Sequence, residues 1–180
     1  MNWLAINLPL VVLIPFAGAA LAAWAARFHR VAAAWTAGGV ALLSLALLLP
    51  SAVDTFAGET LIQSWAWMPS IGLWFAFRLD GLALLFALLI LVIGLLVILY
   101  ARYYLSAKDS MGRFFAYLLM FMGSMLGIVL SENLLQLVVF WELTSLTSFL
   151  LISYWQHRKD AREGARMALA ITGEIGRAHV

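Results

Sequence analysis

The sequence predicts an all-α fold, a polytopic transmembrane helical bundle, on three observations. Of its 180 residues 65% are hydrophobic and only 11% are charged, whereas soluble domains carry roughly 45–50% apolar and about 25% charged residues. The apolar residues gather into five long runs. The basic residues, in turn, collect in alternate connections between those runs. A hydrocarbon core about 30 Å thick takes about 20 residues per helix, so the length admits five complete spans and the start of a sixth. This composition excludes a soluble globular enzyme, a disordered tail and a disulfide scaffold.

In chain order, the first run covers about residues 3–26 and closes on Arg27-Phe28-His29-Arg30. The second covers about 31–50 and is expected to stop at Pro50, because a proline has no N–H to continue the helix. The third, about 81–104, ends in Tyr100-Ala101-Arg102-Tyr103-Tyr104, which reads as an interfacial aromatic belt with a snorkelling arginine. The fourth, about 114–130, contains Gly123-Ser124-Met125-Leu126-Gly127, a G-x-x-x-G face that allows close helix approach. The fifth is about 133–154, and a truncated sixth begins at Met167.

The 51–80 connection is long for a turn. Leu73, Phe75, Phe77 and Leu79 alternate with Trp74, Ala76 and Arg78 after Met68-Pro69-Ser70-Ile71-Gly72. Alternation beside a Pro/Gly turn suggests a short β-hairpin on the outer surface; an irregular aromatic-rich loop is the equally open alternative. Asp80 precedes the third run and reads as its N-cap, with a part in ion entry as the other reading.

Nine basic residues (Arg27, Arg30, Arg102, Lys108, Arg113, Arg158, Lys159, Arg162 and Arg166) fill the odd connections, and Arg78 alone lies in an even one. Positive loops stay cytoplasmic, so the N-terminus is expected outside. Met1-Asn2-Trp3 lacks the basic n-region of a cleaved signal peptide.

Several chemistries lack the residues they need. Without cysteine there is no disulfide, thiolate cluster or Cys-based zinc site. His29, His157 and His179 lie in charged or terminal stretches and offer no facing pair for a haem. Neither G-x-G-x-x-G nor a P-loop occurs. No cofactor and no metal site is expected, and the basic residues serve topology rather than nucleic acid. The expected surroundings are a lipid bilayer.

Of nine acidic residues, Glu142 alone falls in mid-span. A charge at that depth costs at least about 2.5 kcal/mol on insertion scales, which makes an intramembrane carboxylate a functional candidate by default. At 100° per residue, Leu135, Val138, Val139, Leu146 and Phe149 share its face. Its partner must therefore come from another helix, and none of the five spans holds an ionisable residue at similar depth. Asn133, Gln136, Thr144, Thr147 and Ser148 lie on the opposite side, and the hydroxyls there are expected to bond between helices or back to the preceding turn. A helix with polar groups behind and a carboxylate in front belongs inside a larger assembly. The bland reading of Glu142 is a protonated side chain that glues helices together.

The segment Asn133-Leu134-Leu135 followed by Phe140-Trp141-Glu142-Leu143-Thr144-Ser145-Leu146-Thr147-Ser148-Phe149-Leu150-Leu151-Ile152 resembles the fifth-helix signature of the antiporter-like membrane subunits. That family includes the large subunit of Mrp-type Na⁺/H⁺ antiporters and the proton-pumping subunits of respiratory complex I. Leu79-Asp80-Gly81-Leu82, the Tyr103-Tyr104 helix end and Arg113-Phe114-Phe115-Ala116-Tyr117 match as well. The Trp-Glu-Leu-Thr-Ser block is closer to the antiporter branch.

The resemblance implies a secondary transporter subunit more than an enzyme, exchanging Na⁺ for H⁺ with other subunits of a hetero-oligomeric complex in the bacterial inner membrane. It places Glu142 on the ion path, paired with a lysine on a later helix. Lys108 and Lys159 are loop residues and do not fill that role. The alternatives are the membrane arm of NADH:quinone oxidoreductase or of a membrane-bound hydrogenase, and a purely structural bundle.

Residues 1–173 are read as the N-terminal part of this membrane domain. Glu174-Ile175-Gly176-Arg177-Ala178-His179-Val180 departs from the family pattern and can be back-translated into a common short-read sequencing adapter. Residues 174–180 are therefore expected to be non-native.

Overall fold

The structure, a computed structural model, describes residues 7–68, 73–106 and 109–154, together with Gly164 and Met167. It contains five helices, α1 (Asn7–Ala25), α2 (Arg30–Phe56), α3 (Gly81–Tyr104), α4 (Met111–Leu130) and α5 (Leu134–Ile152), and two strands, β1 (Leu61–Met68) and β2 (Leu73–Leu79). All five helices are long and apolar enough to cross a membrane. Gly164 and Met167 are helical, but the rest of the expected sixth span, the Pro69–Gly72 turn and the 174–180 tail lie outside the described residues.

Helix α2 departs from expectation, because it runs through Pro50 to Phe56. A proline removes one ladder donor, and membrane helices tolerate this when side chains or neighbours satisfy the freed groups. The actual stop is Gly58, whose φ of +93° is left-handed. It lets the Gly58 N–H reach the Thr55 carbonyl and the Glu59 N–H reach the Asp54 carbonyl, at 3.0 and 3.2 Å. Those two bonds form a Schellman closure. The local stop signal thus lies eight residues beyond the proline.

α4 is the hub, packing against α1, α2, α3 and α5. Its G-x-x-x-G face is used, but by rings rather than by a helix backbone. A Cβ on Gly123 would collide with the Phe16 ring of α1, and one on Gly127 with the Phe140 ring of α5. The fully buried Phe115, Leu119, Leu126 and Leu130 complete the α4 core.

The hairpin is real. β1 and β2 pair antiparallel from Leu61↔Leu79 to Ala66↔Trp74, with an irregularity between Ala66 and Met68. Phe77 and Leu79 point into the bundle and are fully buried, while Trp74 and Arg78 face outward. Ala76 belongs to the outward set by alternation, yet it is buried. The α4–α5 corner covers it: Glu132 N–H donates to the Ala76 carbonyl at 3.1 Å, and Phe77 bridges to Ser131. That corner acts as a one-residue third strand.

The charges separate by end. Arg30, at the start of α2, donates from its guanidinium to the carbonyls of Leu105 (2.9 Å) and Ser106, just past the end of α3. This satisfies orphan carbonyls with a cation where the helix dipole favours one. Among the described residues, Arg27, Arg30, Arg102 and Arg113 share this end with Asp109. Asp54, Glu59, Asp80 and Glu132 lie with Arg78 at the other.

Candidate functional site: a membrane-depth carboxylate on α5

α5 starts at a well-built cap. The Asn133 side-chain oxygen accepts from the Gln136 N–H at 2.8 Å, and its amide donates to the Trp74 carbonyl of β2 at 2.7 Å. One turn on, the Gln136 side-chain oxygen accepts from the Ala76 N–H at 2.9 Å. The Asn-x-x-Gln spacing is that of a capping box, but the glutamine serves the hairpin rather than its own N-cap. Sequence reading placed both residues on the polar side of α5 and missed this anchoring. The capping-box spacing was its only local signal.

Glu142 lies two turns further along, near the middle of the helix. It is exposed on the face α5 turns away from α4, among the half-exposed Leu135, Val138, Val139 and Leu146. Among the described residues it makes no hydrogen bond or ion pair, and no other ionisable group occurs at mid-span.

The hydroxyl side of α5 behaves as expected through back-bonding. Thr144 donates to the Phe140 carbonyl at 2.9 Å, Ser145 to Trp141 at 3.2 Å and Thr147 to Leu143 at 2.8 Å. Ser145 and Thr147 are buried. One face of α5 is therefore internally satisfied and packed, and the other offers a carboxylate within an apolar strip.

A second charged group, unforeseen in the sequence, forms at the acidic end of the bundle, opposite the arginine-rich one. Arg78 lies 3.3 Å from Asp80 and 3.8 Å from Glu132, beside an open cavity of about 510 Å³ that all three line. Asp80 caps α3 as expected, accepting from the Ala83 N–H at 2.9 Å. That bond, aided by Arg78, holds its carboxyl below the usual carboxylate range. Arg78 and Glu132 are 54 positions apart, so only the strand–corner pairing reveals the triad. These partners are part-exposed, and such pairs contribute at most about 1 kcal/mol each. No three His, Asp or Glu side chains converge as metal ligands among the described residues.

Residues 65–115 match the family model described as the N-terminus of chain 5 of NADH-ubiquinone oxidoreductase (complex I). Residues 131–179 match the model for the transmembrane region of NADH:quinone oxidoreductase and Mrp antiporters. The chain belongs to the antiporter-like membrane subunits. Within that family it is 50% identical over 169 residues to the A/B-type subunit of a probable K(+)/H(+) antiporter of Rhizobium meliloti, covering 94% of this chain and 17% of the relative. It is 46% identical over 145 residues to the A1-type subunit of a Na(+)/H(+) antiporter of Staphylococcus aureus, covering 81% and 18%. Among solved structures, the Mrp complex from Dietzia sp. DQ12-45-1b superposes with a TM-score of 0.79 at 30% identity, over 95% of this chain and 18% of that one. An archaeal membrane-bound sulfane sulfur reductase shares the fold, with a TM-score of 0.69 at 24% identity over 91% of this chain and 25% of that one. The chain spans under a fifth of the length of the curated relatives it matches.

Proposed function

We propose that the chain serves cation/proton antiport, Na⁺/H⁺ or K⁺/H⁺, within the large subunit of a multisubunit complex, with Glu142 on the proton path. The observation that carries this reading is the position of Glu142: mid-helix, exposed on an apolar face, with no partner among the described residues. A carboxylate at membrane depth needs a cation or a proton. A neighbouring helix that brings a positive charge to this face therefore couples the charge state of Glu142 to its own movement or occupancy. The names of the relatives support the antiporter branch.

The charge separation supports an orientation with the arginine-rich end in the cytoplasm and the N-terminus outside, in a bacterial cytoplasmic membrane. Other subunits of the complex and the surrounding lipid are its partners. The complex I name attached to the 65–115 match favours a second reading, a proton-translocating subunit driven by redox partners. Neighbouring genes distinguish the two: small antiporter subunits on one side, quinone-reductase subunits on the other.

The test is Glu142→Gln in the full-length protein, assembled with its partners and assayed in everted vesicles for cation-dependent proton release. Loss of exchange with normal assembly is expected. Undiminished exchange removes Glu142 from the path.

A further inference from the structure

A groove of about 310 Å³ runs between α2 and α3 at the arginine-rich end. Its walls are the exposed Trp35 and Leu42 of α2 and Leu96 and Leu99 of α3, and its floor is Gly38 and the buried Ile98. Arg102 is the one charged residue that lines it. The groove follows α3 from Arg102 back to Leu95, about 10 Å of helix at 1.5 Å per residue, in the direction of the membrane interior.

The state of Arg102 is informative. Its guanidinium carbon lies 4.5 Å from the centroid of the Trp35 ring and 5.3 Å from that of Tyr103. Aromatic faces hold a guanidinium without consuming its in-plane N–H donors. Among the described residues no carboxylate pairs with it. A positioned cation with free donors stands at the interfacial end of a helix, above an apolar trough. Gly38 keeps that trough open. A Cβ there would sit 4.0 Å from Ile98, an ordinary contact, so the packing does not demand glycine as it does at Gly123 and Gly127.

We propose that this groove binds an anionic phospholipid, with the phosphate on Arg102 and an acyl chain along Gly38 and Ile98. The charge fits an anionic headgroup, since Arg27, Arg30 and Arg113 lie at the same end of the bundle. The apolar lining fits hydrocarbon. Basic pockets between membrane helices on the cytoplasmic side are the usual setting for such headgroups.

Trp35 provides the probe. The full chain, extracted with whatever subunits accompany it, is placed in phosphatidylcholine nanodiscs carrying a minor fraction of brominated phosphatidylglycerol or brominated phosphatidylcholine. Bromine quenches indole fluorescence on contact, and the share of Trp35 is the difference between parent and Trp35→Phe. Phosphatidylglycerol is expected to be about fivefold more effective than phosphatidylcholine, which corresponds to about 1 kcal/mol for one arginine. Arg102→Gln is expected to bring the ratio close to one. Gly38→Leu, which fills the trough and leaves Arg102 and Trp35 in place, is expected to reduce quenching by both lipids. Equal quenching by the two lipids in the parent, a ratio unmoved by Arg102→Gln, or quenching unmoved by Gly38→Leu overturns the proposal. So does a Trp35 that neither lipid quenches, which would mean that a protein neighbour covers the groove.

Discussion

Gln136 of α5 accepts a hydrogen bond from the backbone N–H of Ala76 in β2 at 2.9 Å, in a buried setting and across 60 residues of chain. The hairpin therefore grips the helix that carries Glu142, six residues from it. Removing the glutamine leaves the Ala76 N–H buried and unpaired, which costs about 1–3 kcal/mol. Gln136→Leu should accordingly lower the thermal midpoint in mild detergent. An unchanged midpoint would mean that water replaces the lost acceptor.

The Asp80 cap makes a pH-dependent prediction. Its carboxyl is held below the ordinary 3.8 chiefly by the Ala83 N–H, with Arg78 assisting. A group depressed in the folded state stabilises the fold above its unfolded value and loses that contribution as pH falls through the folded value. The cap is thus constant from about pH 5 to 8 and fails only in acid below about pH 4. Asp80→Ala should cost about 1 kcal/mol at neutral pH. Asp80→Asn, which keeps an acceptor, should cost less and flatten the acid limb, as read by stability against pH.

Gly123 and Gly127 of α4 should not be equivalent. A methyl on Gly127 meets the inner part of the Phe140 ring, next to its stem, while one on Gly123 meets the far edge of Phe16. A ring edge can swing aside more cheaply than a ring root. Overpacking costs about 1–3 kcal/mol, so Gly127→Ala should fall at the upper end and Gly123→Ala at the lower. Phe140→Leu should rescue Gly127→Ala alone. Equal losses in the two single variants would refute the ranking.

Orientation can be read directly, because the sequence contains no cysteine. Glu59 and His29 are exposed at opposite ends of α2. Glu59→Cys should react with an impermeant maleimide in intact cells, and His29→Cys only after permeabilisation. The reverse pattern inverts the proposed topology.

Where the sequence was legible, the information was local. The third span ends at the expected residues because Asp80 supplies its cap on one side and the Arg102–Tyr104 belt marks the other. The hydroxyls of α5 bond back one turn, as residue type alone suggests. Alternation in 73–79 carried the hairpin, since period two exposes one face and buries the other. What escaped was non-local. Pro50 is the exception, a local misreading: proline looked like a stop, whereas α2 ends at the equally local Gly58 closure. The G-x-x-x-G spacing announced a close approach without saying that Phe16 and Phe140 would fill it. The Arg78–Glu132 proximity and the Gln136–Ala76 bond arise only once a strand and a helix corner meet. Glu142 was legible as a residue out of place in hydrocarbon, whereas its exposure on the uncovered face of α5 required the packing of all five helices.

The packing order of the bundle differs from its order of synthesis. α1 rests on α2, its neighbour in the chain, and equally on α4, which begins at Met111. At ribosomal rates of about 5–20 residues per second, α4 follows α1 by on the order of ten seconds. During that interval the surface of α1 that receives Gly112 and Gly123 faces lipid or the insertion machinery. The α1–α2 pair therefore stays half-covered until α4 arrives, and it is α4, rather than α3, that covers the second surface of α1.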